Sequence, residues 1–452
     1  MSVIARSNCK PVGDEATSIS TTYDWLIESL LAFLLVFTPL AFGAVHPPSI
    51  ALFEIIAALM AMLWIFKTLS TGKFEFINTP FTYFILTFIL YVFFQLFFSR
   101  YPLPAIRYPL PSSIYSWATK TEFLKLISYA LIFLVTLNTI RTKRQITRIF
   151  WVIITMGFSM SIFYLMRYFG APAPRGFINP DHFSAYLGMI IPLSLGFLIC
   201  VIARSPAIGG TTKQSHPRIL LFFTIIIMSA ALFFTMSRGG MLSFIVALLF
   251  IALLVSTRRS MKNKGWLILA ITVFIVLIVA WLGATPVLER ILSVNAEIAS
   301  RYFGSRLPIW QGTLSIIRDY PIFGTGLGTF NYIFPKYQPL AIINKHYTYA
   351  HSDILELLSE VGIVGFALSM VYGLWTVVYL FRRFRERHDP WVVGMSLCLF
   401  GSSAAIFLHS FTDFNLHIPA NALLLTVILA SFISILNASR DEREASWTGG
   451  NR

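Results

Sequence analysis

The chain has 452 residues, 56% of them hydrophobic, 15% aromatic and only 12% charged, with a mean hydropathy of +0.73. A soluble all-α protein of this size needs polar faces recurring about every 3.6 residues, and runs such as LLAFLLVFTPLAF and ILAITVFIVLIVAWLGA have none. The net charge of +15 sits largely in short runs beside apolar segments, a pattern that orients a membrane protein and touches anionic lipid, and so does not call for nucleic acid.

In chain order, residues 1–23 are polar and mixed in charge, without the short apolar core and small-residue cleavage site of a signal peptide. They are expected to form a cytoplasmic tail. Apolar runs of about 20 residues, each long enough to cross a bilayer as a helix, then predict spans near 24–43, 49–69, 79–99, 121–140, 146–166, 181–203, 218–236, 239–256 and 265–284. A long loop follows over 285–350, then three more spans near 351–380, 391–411 and 417–437, and a tail at 438–452. The expected fold is therefore an all-α polytopic membrane protein of about 12 transmembrane helices, nine in 24–284 and three in 351–437, with one long structured outer loop. Cys9, Cys200 and Cys398 offer neither a disulfide framework nor metal-ligand spacing.

Lys and Arg sort by loop. The tails and the segments 67–78, 141–148, 204–218, 257–264 and 381–390 hold 22 of the 35, so the positive-inside rule places them, and both termini, in the cytoplasm. The outer loops and helix ends carry nine arginines against three lysines. That excess favours the side chain that grips phosphate with two parallel hydrogen bonds. Within 285–350, PVLERILSVNAEIAS and SRLPIWQGTLSIIRDY both read as amphipathic helices. In the second, Leu307, Trp310, Leu314 and Ile317 form the expected apolar face. A loop this long with structure of its own is commonly a lid or binding element.

The stretch HSDILELLSEVGIVG, residues 351–365, places a histidine and three carboxylates at the mouth of a span, where ionisable groups usually mark function. In a regular helix at about 100° per residue, Asp353, Glu356 and Glu360 form one stripe opposite His351. They would then pair with arginine or polar groups of a neighbouring helix and not with the histidine. Imidazole just outside the hydrocarbon suits a general base near neutral pH; equally, it suits a residue that caps a helix at the interface.

This stretch fits the pattern His, Ser/Asn/Gln, nine residues, Gly, two residues, Gly, and resembles the signature of the O-antigen ligase and polymerase superfamily. GFINPDHFSAYLGMIIPLSLG, TMSRGGMLSFIVALL and SRLPIWQGTLSIIRDYPIFGTGLGTF resemble further motifs of that family, in the same order, across residues 175–420. The resemblance implies a glycosyltransferase-C-like integral membrane enzyme of the bacterial inner membrane, working on its periplasmic side. It would catalyse an inverting, metal-independent transfer without a cofactor. The donor would be a glycan on undecaprenyl diphosphate, and the acceptor a hydroxyl of the lipid A core (a ligase) or of another lipid-linked glycan (a polymerase). The resemblance makes His351 the base for that hydroxyl and Arg238 and Arg306 the arginines that receive the developing diphosphate charge, as fixed guanidinium groups in a poorly hydrated site do. Arg175, Asn179 and His182 would contact substrate, although Arg175 equally suits a helix-end anchor and Asn179 or Asp181 a helix cap.

Three features stay open at this level. GTGLGTF at 324–330 follows an amphipathic helix and a proline and no strand, so its glycines read as turn formers and not as a phosphate loop. His409, Asp413 and His417 in HSFTDFNLHIP suit either the acceptor side of a site or plain packing. The roles of Asp353, Glu356, Glu360 and Asp413 are not assigned. A transporter or flippase is the rival from another class, but it should carry its polar groups near the bilayer midplane and in repeated halves. Here they gather at the outer ends of the predicted spans.

Overall fold

The computed structural model describes residues 12–74, 76–99, 111–203, 215–256 and 306–437, which are helical with no strand. The helices are α1 (Val12–Leu40), α2 (Pro47–Thr71), α3 (Pro80–Phe98), α4 (Ser116–Thr139), α5 (Lys143–Tyr168), α6 (Pro180–Ala203), α7 (Ser215–Phe234), α8 (Arg238–Ser256), α9 (Arg306–Asp319), α10 (Phe330–Tyr337), α11 (Asp353–Arg385), α12 (Pro390–His409) and α13 (Pro419–Asn437). Ten of them, α1 to α6, α8 and α11 to α13, are long and apolar enough to cross a membrane. The apolar part of α7, Arg218–Phe234, is shorter. The protein is thus a polytopic all-α membrane protein. The expected span at 265–284, the pattern PVLERILSVNAEIAS and both tails beyond 12 and 437 lie outside the described residues.

The most apolar stretch of α6 is 100% buried, against 22% for that of α2 and 28% for that of α11. The first is therefore the hub of the bundle, and the other two present most of their surface outward. Small residues let α12 close on this hub. Gly188 faces Ala405, a Cβ at Gly196 would come within 2.9 Å of the Cys398 Cβ, and the Ser402 hydroxyl donates to the Met189 carbonyl at 2.6 Å.

Between the spans, α9 and α10 enclose a separate small core of Ile309, Ile316, Phe330, Phe334, Ile342 and Ala350. The buried face of α9 is Ile309, Gly312, Thr313 and Ile316, while Leu307 and Leu314 are 44% and 52% exposed. The expected face of Leu307, Trp310, Leu314 and Ile317 is therefore rotated from the one that packs. The reason is Gly312, where an added Cβ would lie 2.8 Å from both the Phe334 ring and the Tyr337 carbonyl. The flat side of α9 closes on α10, and the leucine ridge is left outside.

α11 is broken at Gly362, whose φ of 59° and ψ of −172° belong to glycine alone. At the break, the Ile363 and Val364 amides donate to the Pro321 and Ile322 carbonyls at 2.8 and 3.1 Å. The Ser359 and Glu360 carbonyls they abandon accept instead from the Thr325 and Gly326 amides, at 3.1 and 2.8 Å. These two donors and two acceptors freed by the break thus find partners in segment 321–326, as the low-dielectric setting demands. Gln95 and Tyr91 of α3 complete the joint: the Gln95 amide donates to the Glu360 and Phe323 carbonyls and the Tyr91 hydroxyl to the Val361 carbonyl at 2.6 Å. GTGLGTF is therefore a turn, as its context suggested, and it is set into a helix.

Candidate functional site

The start of α6, α8, α11 and α13 and the end of α12 meet at one end of the bundle. α11 begins at Asp353 with Ser352 as its cap, the Ser352 hydroxyl accepting from the Leu355 amide. His351 therefore stands before the helix, with a left-handed φ of 51°. This corrects the expectation of a regular helix from 351, because the left-handed residue turns the imidazole out of the helical progression. Its Nδ1 lies 3.1 Å from Asp413 Oδ1. The imidazole is 27% exposed, and the carboxylate is fully buried.

Asp413 sits in the turn after α12, where its amide donates to the His409 carbonyl and its own carbonyl accepts from the Asp353 amide, both at 3.1 Å. Its Oδ1 also accepts from the Phe414 amide at 3.0 Å. Burial alone would raise the Asp413 carboxyl pKa, but the His351 hydrogen bond and the charges of His182 and Arg306 outweigh it and bring it down to about 2. The carboxylate is thus ionised and holds its histidine in one orientation and tautomer, with Nδ1 as the hydrogen-bond donor and Nε2 as the ring's free basic nitrogen. Phe414 supports the pair sterically: His351, His182 and Tyr349 pack on its ring at centroid distances of 4.9, 4.6 and 4.3 Å.

The two arginines approach from other elements. Arg306, first residue of α9, contacts Asp181 of α6, Nη2 to Oδ2, at 3.4 Å, and lies within electrostatic reach of Asp413 and His409. Arg238 opens α8 after Met236, itself left-handed at φ 57°, and Ser237, whose hydroxyl accepts from the Gly240 amide at 3.2 Å. A side chain at Gly239 would strike the Thr412 hydroxyl, and one at Gly240 the Ser184 hydroxyl. These two glycines bring the Ser-Arg-Gly turn flush against both α6 and the turn that carries Asp413.

Of the remaining expected residues, Asn179 accepts from the Asp181 amide at 2.9 Å and so performs the capping role. His182 is 5% exposed and lies behind Phe414. Arg175 is exposed in the irregular segment ahead of α6. Among the described residues the acidic stripe meets neither arginine nor His351: Asp353 and Glu356 converge on His417, with Nδ1 3.1 Å from Asp353 Oδ1 and Nε2 3.2 Å from Glu356 Oε1. Burial alone would lower the His417 pKa, but these carboxylates raise it to about 10. Glu360 accepts from the Phe330 amide at 2.9 Å, which ties α10 to α11. Asp413 and Phe414, 62 and 63 positions after His351, gave only an ambiguous signal in sequence. The single cue was a polar cluster at the end of a predicted span.

Helices of membrane-spanning length, with a histidine–carboxylate pair and two arginines gathered at one end, define a multi-pass membrane protein with a candidate site where its helices emerge. Residues 223–370, which hold Arg238, Arg306 and His351, match the family model described as O-Antigen ligase. Over those residues the chain is similar to the O-antigen ligase superfamily, and this supports, at the coarse level, a glycosyltransferase-like enzyme. No curated protein matches the chain.

Proposed function

We propose that the protein is an O-antigen ligase-like glycosyltransferase. In this reading it moves a glycan from undecaprenyl diphosphate to a hydroxyl of an acceptor glycan, the lipid A core, with inversion at the anomeric carbon. The observation that carries the reading is the His351–Asp413 pair, a half-buried imidazole oriented by a buried carboxylate within the same end of the bundle as Arg238 and Arg306. His351 Nε2 takes the proton of the attacking hydroxyl, and Asp413 stabilises the imidazolium that forms. Arg238 and Arg306 receive the charge that grows on the departing diphosphate. Arg175, exposed ahead of α6, extends that cationic surface. His182 supports it from behind Phe414.

The basic segments 67–78, 141–148 and 381–390 join helices at the opposite end of the bundle, which supports a cytoplasmic position for that end and a periplasmic one for the site, in the inner membrane. A polymerase of the same superfamily would use the same donor chemistry and differ in acceptor. The test is the lipid-linked product that accumulates when the protein is removed. Long undecaprenyl-linked chains support the ligase; single repeat units turn the reading to a polymerase; no accumulation refutes both.

A further inference from the structure

The structure holds a second histidine–acid assembly one layer behind His351, and nothing in the chemistry above uses it. His417 sits in the short 3-10 turn Asn415–His417 that follows Asp413 and Phe414. Its two ring nitrogens face two different carboxylates at 3.1 and 3.2 Å. A neutral imidazole has one donor and one acceptor, and ionised carboxylates only accept. Both contacts can therefore be hydrogen bonds only if the three groups share two protons, one in each contact, whichever atom carries it. The unit Asp353–His417–Glu356 then has a net charge of −1.

The outer oxygens of the unit are also committed. Asp353 Oδ2 accepts from the Leu416 amide at 3.2 Å and Glu356 Oε2 from the Ala350 amide at 2.7 Å. Asp353 and Glu356 lie in the first turn of α11, where the aligned peptide dipoles favour negative charge. The two side chains are 7% and 2% exposed, so little water competes. The other groups facing His417 are Tyr349, whose ring centroid is 4.9 Å away, and the more distant acids Glu122 of α4 and Glu360 of α11.

Each tie made by this unit ends beside the reactive pair. Ala350 immediately precedes His351, so the hydrogen bond from its amide to Glu356 fixes the chain one peptide ahead of the left-handed residue. Leu416 and His417 belong to the turn that carries Asp413, and the Asp353 amide holds the Asp413 carbonyl. Two segments more than sixty residues apart are thereby clamped on both sides of the 3.1 Å contact between His351 and Asp413.

We infer that His417 is a positioning residue of the transfer reaction: a proton-sharing bridge between Asp353 and Glu356 that sets the distance between His351 and Asp413. The role rests on the transferase reading. It predicts that His417→Gln, which can bridge only one of the acids and leaves the other uncompensated, lowers kcat by about 10- to 100-fold, the scale expected when a reacting group is misplaced by about 1 Å. KM for the lipid-diphosphate donor should stay within about twofold, since no donor contact is removed. Combining His417→Gln with Glu356→Gln replaces the charged bridge by an amide pair, and should recover at least about fivefold of the lost kcat.

The experiment measures initial rates of glycan transfer by the purified full-length protein in detergent, with an undecaprenyl-diphosphate-linked glycan as donor, for the wild type, both single variants and the double variant. Folded protein in each sample is counted by size-exclusion chromatography and thermal unfolding. A His417→Gln protein with wild-type kcat, a variant whose loss is all in KM, or a double variant no better than the worse single one overturns the inference. A wild-type protein that transfers nothing refutes the transferase reading first, and this role with it.

Discussion

Replacing Asp413 by asparagine isolates the charge of the orienting carboxylate from its shape. Both hydrogen bonds from His351 and Phe414 fall on the same oxygen, Oδ1, and Oδ2 is buried with no hydrogen-bond partner among the described residues. An asparagine can therefore place its carbonyl oxygen where Oδ1 stands and keep both contacts, exchanging the negative charge for an amide NH2 buried at the Oδ2 position. Two routes give the magnitude. The carboxyl is held from its ordinary 3.8 down to about 2, which at about 1.36 kcal/mol per unit is roughly 2 kcal/mol of net stabilisation of the ionised form by His351, His182 and Arg306 together, against its burial. An imidazolium and a carboxylate about 4 Å apart at an effective dielectric constant of about 20 interact by about 4 kcal/mol.

If His351 becomes an imidazolium in the transition state, that range corresponds to a loss of roughly 30- to 1000-fold in kcat. Donor binding should be retained, because in the proposed reading the diphosphate meets the arginines. The assay is single-turnover glycan transfer from a lipid-diphosphate donor, alongside equilibrium donor binding, on protein shown to be folded and membrane-inserted. An asparagine variant within threefold of wild type, tested beside an inactive His351→Ala protein, refutes the idea that the Asp413 charge supports the reaction.

His351→Ala should abolish turnover by about 10²–10⁴-fold with donor binding near normal, whereas Arg238→Ala and Arg306→Ala should weaken both, and Lys at either position should restore only part. Arginine variants with normal binding and normal transfer would contradict that division of labour. Gly362→Ala places a Cβ against the Ile322 carbonyl in a conformation L side chains avoid, so thermal unfolding in detergent should register a loss of at least about 2 kcal/mol. His417 has its pKa raised to about 10, so its stabilisation is fully present below 6.5 and is lost as pH rises through about 10. The unfolding temperature of the wild type should fall in that alkaline window, and that of His417→Gln should show a smaller fall there. A cysteine introduced at 300 should react with a membrane-impermeant reagent from outside intact cells, and one at 262 should not; the reverse pattern overturns the orientation.

The spans were legible because apolar runs of about 20 residues have few structures open to them. Arg238, Arg306 and His351 stood out in the sequence because they sit in local motifs. The partners of His351 did not. Periodicity assumes a regular helix, and His351 lies two residues before the helix begins, with a left-handed backbone that no local pattern announced. The wheel that put the carboxylates opposite His351 thus kept them off the histidine for an incomplete reason, and it could not name His417, which arrives from 64 positions after Asp353. Leu307 and Leu314 misled in the same way: they fit an apolar stripe at helical spacing, but the contact with α10 is decided by Gly312, whose value is the space it leaves. Likewise, the glycines at 324–328 read correctly as a turn, while their seat inside α11 depends on a second glycine in another element.

That seat has a consequence for anyone exchanging parts between related proteins. The long outer segment looks like an independent cassette, with its own small core and clear edges. The backbone of 321–326, however, completes the hydrogen bonding of 359–364, so the cassette and the helix are one fabric. A graft confined to residues 330–350 keeps that weave and moves only α10 and the short stretch between it and α11. A graft of the whole segment must bring residues 353–365 along, together with partners for Gln95 and Tyr91 on α3, or it will transplant a loop and unpick a transmembrane helix.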